Sequence, residues 1–427
     1  MSFLDLLGAL LTAVAVLGYV NYRLVRLPDT IGITAMGLLV SLVLVLAGNA
    51  IPGASAWARA LAGRFDFSEL VLHGLLSVLL FAGSLHVNIA ELARMKLPVF
   101  VLSTVGVVLS TVLVGYGAWW VSRAIGSDVP LRWCLLFGAL ISPTDPIAVL
   151  GVLKTVGVPR PLEVEIAGES LFNDGTGVVA FLVMLGIATG THEPTLASVG
   201  LLLAEEILGA LLLGLALGYA AFLMLRGVDS YPVEIIITLA LATAGYSLAE
   251  HLRVSAPITV VVAGLVIGNH GARHAMSETT REHLFSFWDL TDQVLNLILF
   301  GLVGLQLLAF TGQRASWLAA LLLVPVVLAA RFASVGLPAL LLGPWLKHRS
   351  PHGVKVLTWA GLRGGISVAL ALSLPAFEAR DTFILGTYAV VLFSLLVQAP
   401  TLGWYLRRLG MGVPAAAPHD PSVQSRA

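Results

Sequence analysis

The sequence predicts an all-α polytopic membrane protein, and three observations carry that expectation. The first is composition. Of 427 residues, 58% are hydrophobic and 11% charged, with mean hydropathy +0.94. Soluble domains run near 45–50% apolar and about 25% charged. So little charge cannot cover a globular surface, so most of the exterior must face lipid, which excludes an ordinary cytosolic enzyme. The second is that about thirteen runs reach the roughly 20 apolar residues a spanning helix needs. They are continuous and do not alternate with period two, which excludes a barrel. The third is that two of these runs are broken at mid-span, one by prolines and one by glycines.

In chain order, spans are expected near residues 3–22, 30–49, 67–88, 97–121, 131–153, 162–189, 197–225, 231–249, 255–269, 285–310, 315–342, 356–376 and 382–404. The first has no basic residue ahead of its apolar run, contains Asp5, and is followed at once by Arg23 and Arg26. It therefore reads as a retained helix and not as a signal peptide. The ninth is short and depends on its neighbours. Alternate loops divide the basic residues fifteen to seven, with Arg94, Lys96, Lys154, Arg160 and Arg407 on the richer side. By the positive-inside rule the C-terminus is expected in the cytoplasm and the N-terminus outside. Residues 1–408 form the expected transmembrane domain, and 409–427, rich in Pro, Ala and Ser, a short disordered cytoplasmic tail.

Several partners are excluded. Lys+Arg and Asp+Glu both number 24, so no basic field attracts nucleic acid. No GxxxxGK[ST] or GxGxxG motif lies in a loop, so nucleotide is not expected and any transport is secondary. The one cysteine, Cys134, rules out disulfide frameworks, iron–sulfur clusters and thiolate zinc sites within a chain.

Charges at mid-membrane cost roughly 2.5–3.5 kcal/mol each on insertion scales, so each calls for an explanation. Asp145, Glu169, Asp174, Arg331 and Arg363 all fall inside expected spans. Left unpaired, they would cost on the order of 12–18 kcal/mol, so they should converge with one another and with water. Asp145 lies in Ser142-Pro143-Thr144-Asp145-Pro146, halfway along the fifth span. Two prolines three residues apart remove donors and crowd earlier carbonyls, so the helix should break there. A simple proline kink is the plainer reading, but an aspartate and two hydroxyls inside the break argue for a site. The twelfth span carries Gly361-Leu362-Arg363-Gly364-Gly365, which also predicts an unwound stretch. The two broken spans are seven apart and so enter the membrane in opposite directions, as inverted repeats of about six helices require. Discontinuous helices at matching positions of inverted repeats point to a transporter's binding site.

The sixth span contains Gly168-Glu169-Ser170-Leu171-Phe172-Asn173-Asp174-Gly175. At about 100° per residue, Glu169 and Asn173 share one face and Ser170 and Asp174 another. Either acid could be a structural partner of an arginine. With the two pointing different ways, that role is expected for Glu169 and not for Asp174.

These residues resemble the cation:proton antiporters of the NhaP/NHE type. The matching stretches are Ser142–Leu150, Gly168–Gly175, Phe287–Leu305, Arg331 and Gly361–Leu370. TDP alone is weak, but TDP, then GES with ND, then GLRGG is specific. The resemblance implies an NhaA-like fold with two crossing discontinuous helices, in a homodimer in a bacterial inner membrane. The core helices would lie near 67–189 and 285–376. It implies that Asp174 is the carboxylate binding the ion and carrying the proton, with Asn173 beside it. Thr144, Asp145 and Ser170 would supply oxygen ligands to sodium, Glu169 and Arg331 would form a structural ion pair, and Arg363 would offset the dipole ends of the broken helices. One departure is Phe81-Ala82-Gly83, where many relatives carry an acid before the glycine; Ala82 cannot ligand a cation, although Ser84, His86 or Asn88 stand nearby.

Sodium is a hard ion that wants oxygen ligands. A buried carboxylate that binds either a proton or a cation, coupled to alternating access, suffices for exchange without any cofactor. The expected function is therefore secondary antiport of a monovalent cation, sodium or lithium, for a proton, and not enzymatic catalysis. Asn173 cannot release a proton, so one cation per proton and electroneutral turnover are expected. Potassium/proton antiport on the same fold is the nearest alternative. A cation channel would need a continuous pore and no obligatory proton coupling, and neither broken span contains a filter of the TVGYG kind. An intramembrane hydrolase would need more than Gly83-Ser84 with His86, since no GxSxG elbow occurs. Asp289, Asp292 and Asn296 share a helical face; this reads as an interfacial start and one core-facing amide, or else as an auxiliary or gating group. His73 and His86 read as packing residues.

Overall fold

The computed structural model describes residues 3–47, 67–191, 195–305, 314–341, 343 and 352–411. Among these residues the regular elements are all helical. They are α1 (Phe3–Val20), α2 (Asp29–Ala47), α3 (Phe67–Leu85), α4 (Ile89–Arg94), α5 (Lys96–Ala124), α6 (Leu131–Leu140), α7 (Ile147–Val156) and α8 (Arg160–Thr189). Then come α9 (Leu196–Arg226), α10 (Tyr231–His251), α11 (Ala256–Val266), α12 (Glu278–Leu305), α13 (Arg314–Leu341), α14 (Gly353–Trp359), α15 (Gly365–Leu372) and α16 (Arg380–Arg408).

Among the described residues, nine helices are long and apolar enough to cross a membrane unaided: α1, α3, α5, α8, α9, α10, α12, α13 and α16. Shorter helices occupy the other expected spans. These are α2 at 30–49, α6 and α7 at 131–153, α11 at 255–269, and α14 and α15 at 356–376. Residues 48–49, 306–310 and 342 of the expected spans, and the tail from 412 onward, lie outside the described residues.

Two helix ends depart from the expectation. α12 begins at Glu278, a full two turns before 285. The Ser277 hydroxyl accepts the Thr280 N–H at 3.3 Å, capping a polar, charged stretch that a hydropathy window passes over. The short α4 was not anticipated at all. Its start is set by the Asn88 side chain, which accepts N–H groups of Ala90 at 2.9 Å and Glu91 at 3.3 Å, and six residues are too few to show a period.

Packing makes two principal cores. One runs through α5, α6, α13 and α16, where Phe137 and Phe383 meet at 4.9 Å between ring centroids. The other lies between α3, α9, α10 and α12. There Phe81 packs on Trp288 at 4.8 Å, and the Trp288 indole N–H donates to the Thr238 hydroxyl at 3.0 Å. Facing outward, α9 exposes Leu208, Leu212, Leu215, Tyr219 and Leu223. That spacing is one helical face, uncovered and apolar, suited to lipid or another apolar partner.

Candidate ion-binding site

The fifth and twelfth spans are each interrupted. α6 ends at Leu140 and α7 starts at Ile147; α14 ends at Trp359 and α15 starts at Gly365. Pro146 immediately precedes α7, where its missing N–H costs nothing. The Asp145 Oδ1 accepts the Ile147 N–H at 2.9 Å and satisfies one of the open donors of that helix start. The two breaks lie against each other. The Asp145 N–H donates to the Leu362 carbonyl at 2.8 Å. Arg363, 1% exposed, donates through Nη1 to the carbonyls of Ser142 and of Pro143, the latter at 2.9 Å. Its charge thus lies at the C-terminal end of α6, where free carbonyls make the helix dipole negative.

Two glycines let these segments approach. A Cβ on Gly364 would overlap the Asp145 carboxylate, and one on Gly177 would overlap the Pro143 ring. Through Gly177, α8 lies directly on the first break.

α8 presents the remaining groups. Asn173 holds Thr144 with both amide atoms: Oδ1 accepts the Thr144 N–H at 3.1 Å and Nδ2 donates to Thr144 Oγ1 at 2.6 Å. The Ser170 hydroxyl lies 3.1 Å from Thr144 Oγ1. Asn173, Ser170 and Thr144 are all buried. Glu169 sits elsewhere on the helix, 2.5 Å from Arg331 Nη1, and both are buried. Arg331 also donates to the Leu357 carbonyl through Nε at 3.3 Å and Nη2 at 3.1 Å, which ties α13 to α14. Such a pair in low dielectric needs good geometry and further hydrogen bonds to offset desolvation, and Arg331 has both.

Asp174 differs from Glu169. It is 5% exposed, and among the described residues its Oδ1 has no hydrogen-bond partner. Buried carboxylate oxygens are nearly always satisfied, so an open one marks a place for a proton, a cation or water. Asp174 and Asp145 line a common cavity of about 280 Å³ between the breaks, α3, α8 and α12, together with Thr144, Gly364 and Asp292.

Sequence reasoning gave Asp292 no settled role, yet it lines this cavity. The polar face it shares with Asp289 and Asn296 was the signal. α3 contributes only Val71, Leu76, Leu79, Leu80 and Gly83 to the lining. Ala82 packs into the core beside Phe81 and Trp288. Ser84 donates to the Phe81 carbonyl at 2.7 Å, Asn88 caps α4, and His86 pairs with Asp289 at 3.1 Å. None of the three is in the lining of the cavity that holds Asp174.

Comparison with known proteins agrees with this architecture. The Na(+)/H(+) antiporter NhaP of Pseudomonas aeruginosa is 46% identical over 415 residues, covering 96% of this chain and 98% of that one. The Na(+)/H(+) antiporter NhaH of Halobacillus dabanensis is 34% identical over 408 residues, covering 94% and 97%. The sodium proton antiporter MjNhaP1 from Methanocaldococcus jannaschii shares the fold, with TM-score 0.72 at 20% identity over 96% of this chain and 99% of that chain. The transmembrane sodium/hydrogen exchanger family matches residues 10–408. By that match and the identity to the NhaP and NhaH antiporters, this chain belongs to the sodium/hydrogen exchanger family.

Proposed function

We propose that the protein exchanges sodium for protons across a cell membrane by alternating access, with Asp174 as the group that carries either ion. The observation behind this reading is the open Oδ1 of Asp174 in the cavity it shares with Asp145. A bare carboxylate there is disfavoured by the low dielectric, so it holds a proton or a cation but not neither. Competition for one carboxylate, exposed to each side in turn, couples the two fluxes. Asp145, Thr144 and Ser170 add oxygen ligands, directly or through water, and Asn173 fixes Thr144. The Glu169–Arg331 pair holds α8 to α13, and Arg363 holds the two breaks together. Residues 1–408 act as the transport domain, around a core near 67–189 and 285–376, and two protomers associate in a bacterial inner membrane. The surplus of basic residues in alternate loops supports a cytoplasmic C-terminus and an outside N-terminus. Exchange is one for one.

The test is proton flux in everted vesicles from an antiporter-deficient strain, with sodium, lithium and potassium added separately across a pH series. Sodium- or lithium-driven flux supports the reading. Flux driven by potassium alone reassigns the cation, and no flux with any cation overturns it.

A further inference from the structure

Two cavities meet inside the protein. The inner one holds Asp145 and Asp174. The outer one, about 670 Å³, is bounded by Pro28 and Asp29 before and at the start of α2, Thr155 near the end of α7, and Gly403 and Arg407 near the end of α16. Those helix ends lie on the side rich in basic loop residues, so the outer cavity faces that side. The two linings share three residues: Ile147, Gly151 and Asp292. Two are uncharged residues of α7. The third is a carboxylate at the junction, beside the way from the wide cavity to the narrow one.

We propose that Asp292, with the Asn296 amide one turn along α12, forms an outer subsite. There the transported monovalent cation sheds part of its hydration before it reaches Asp174. The proposal rests on the antiport reading of Asp174.

Three observations carry it. Asn296 is 2% exposed and lines the outer cavity, yet among the described residues its Oδ1 has no hydrogen-bond partner. A buried amide oxygen left open is uncommon, and it is a ligand that a hard cation accepts. Spacing places that oxygen on the same face of α12 as Asp292, near enough for the two side chains to interact. Next, the acids of the two linings become more enclosed along the way in: Asp29 in the outer lining is exposed, Asp292 at the junction is half-buried, and Asp174 is buried. Among the described residues no Lys, Arg or His comes within ion-pair distance of Asp292, so its charge is open to a mobile cation. Finally, Asp292 lines the outer cavity and also shares the inner one with Asp145 and Asp174. A cation leaving one carboxylate is thus already attracted by the next. An anion at the neck also repels chloride and raises the local cation concentration.

The test compares wild type, Asp292→Asn and Asp292→Glu as purified full-length protein in liposomes. Proton flux is followed over a sodium series, and sodium-dependent thermal stabilisation is titrated in parallel. Asp292→Asn is expected to raise half-saturating sodium roughly fivefold while the maximal rate falls by less than half, the pattern of a lost binding contact. Asp292→Glu should restore affinity, and the stabilisation midpoint should move with the flux. Half-saturation unchanged in Asp292→Asn, or equal impairment in Asn and Glu variants, overturns the subsite. If wild type shows no cation-coupled flux, the antiport reading fails separately. The stabilisation titration then still decides: a weaker midpoint in Asp292→Asn upholds the outer subsite, and an unchanged midpoint removes it.

Discussion

The N–H of Asp145 donates to the carbonyl of Leu362 at 2.8 Å, so the two interrupted helices are bonded to each other at their breaks. Each break exposes backbone groups that hydrocarbon cannot satisfy. Here each break satisfies the other in part, and Arg363 takes up two further carbonyls of the first. The unwound backbone is therefore confined to a protein interior that already contains the acidic site. A change in either break should be felt at Asp145.

Gly364 gives the most local test. A methyl group there would overlap the Asp145 carboxylate. Gly364→Ala should lower cation-driven proton flux by about tenfold or more, equivalent to at least about 1.4 kcal/mol on the barrier. Expression and gel-filtration profile should stay close to wild type. Flux within twofold of wild type would show that Asp145 need not stand where it does.

The Glu169–Arg331 pair predicts a stability effect in place of a binding effect. Removing one partner leaves a buried charge alone, which costs roughly 3–5 kcal/mol. Glu169→Gln and Arg331→Met should each lower the thermal midpoint of the detergent-solubilised protein. The double variant should be less destabilised than the sum of the two. Additive losses would mean that the pair is not coupled.

Arg363 reaches two carbonyls at once through a single nitrogen, Nη1, held by its planar guanidinium. A lysine keeps the charge but not that planar geometry. Flux should therefore rank wild type above Arg363→Lys, and Arg363→Lys above Arg363→Gln. Equal loss in both variants would assign the function to guanidinium geometry alone, and no loss in either would remove Arg363 from the site.

Much of this was legible in residue types that lipid makes expensive. Asp145, Asp174, Glu169, Arg331 and Arg363 stood out because a mid-membrane charge needs a reason, and the prolines beside Asp145 and the glycines beside Arg363 marked the breaks. The face separation on α8 rested on helical geometry alone, and Glu169 does face an arginine while Asp174 faces a cavity. What sequence could not supply were contacts made across the fold. His86 meets Asp289, 203 positions away in the chain, and no local pattern encodes that approach. Ala82 looked like a gap in a ligand set because of its neighbours in sequence, whereas its side chain points into the core around Trp288. The early start of α12 was hidden for a simpler reason: a charged helical turn outside the bilayer looks like a loop to a hydropathy window.

Asn173 bears on charge movement. It spends both amide atoms on Thr144 and has no proton to release. With Asp174 as the single exchanged charge, turnover moves no net charge and escapes the roughly 2.3 kcal/mol per charge per 100 mV that the membrane potential would impose. Exchange in proteoliposomes should proceed at the same rate with and without a potassium-diffusion potential. A rate that follows the imposed voltage would require a second charge carrier.

The central claim is that one buried carboxylate alternates between proton and cation. The most direct measurement is sodium-driven proton flux by Asp174→Asn, which keeps size and polarity but cannot exchange a proton. Folding is checked in the same preparation by gel filtration and thermal midpoint. The account predicts a folded protein with no sodium-coupled proton flux at any pH. Coupled flux persisting in that variant would contradict it and place the exchanging group elsewhere in the cavity.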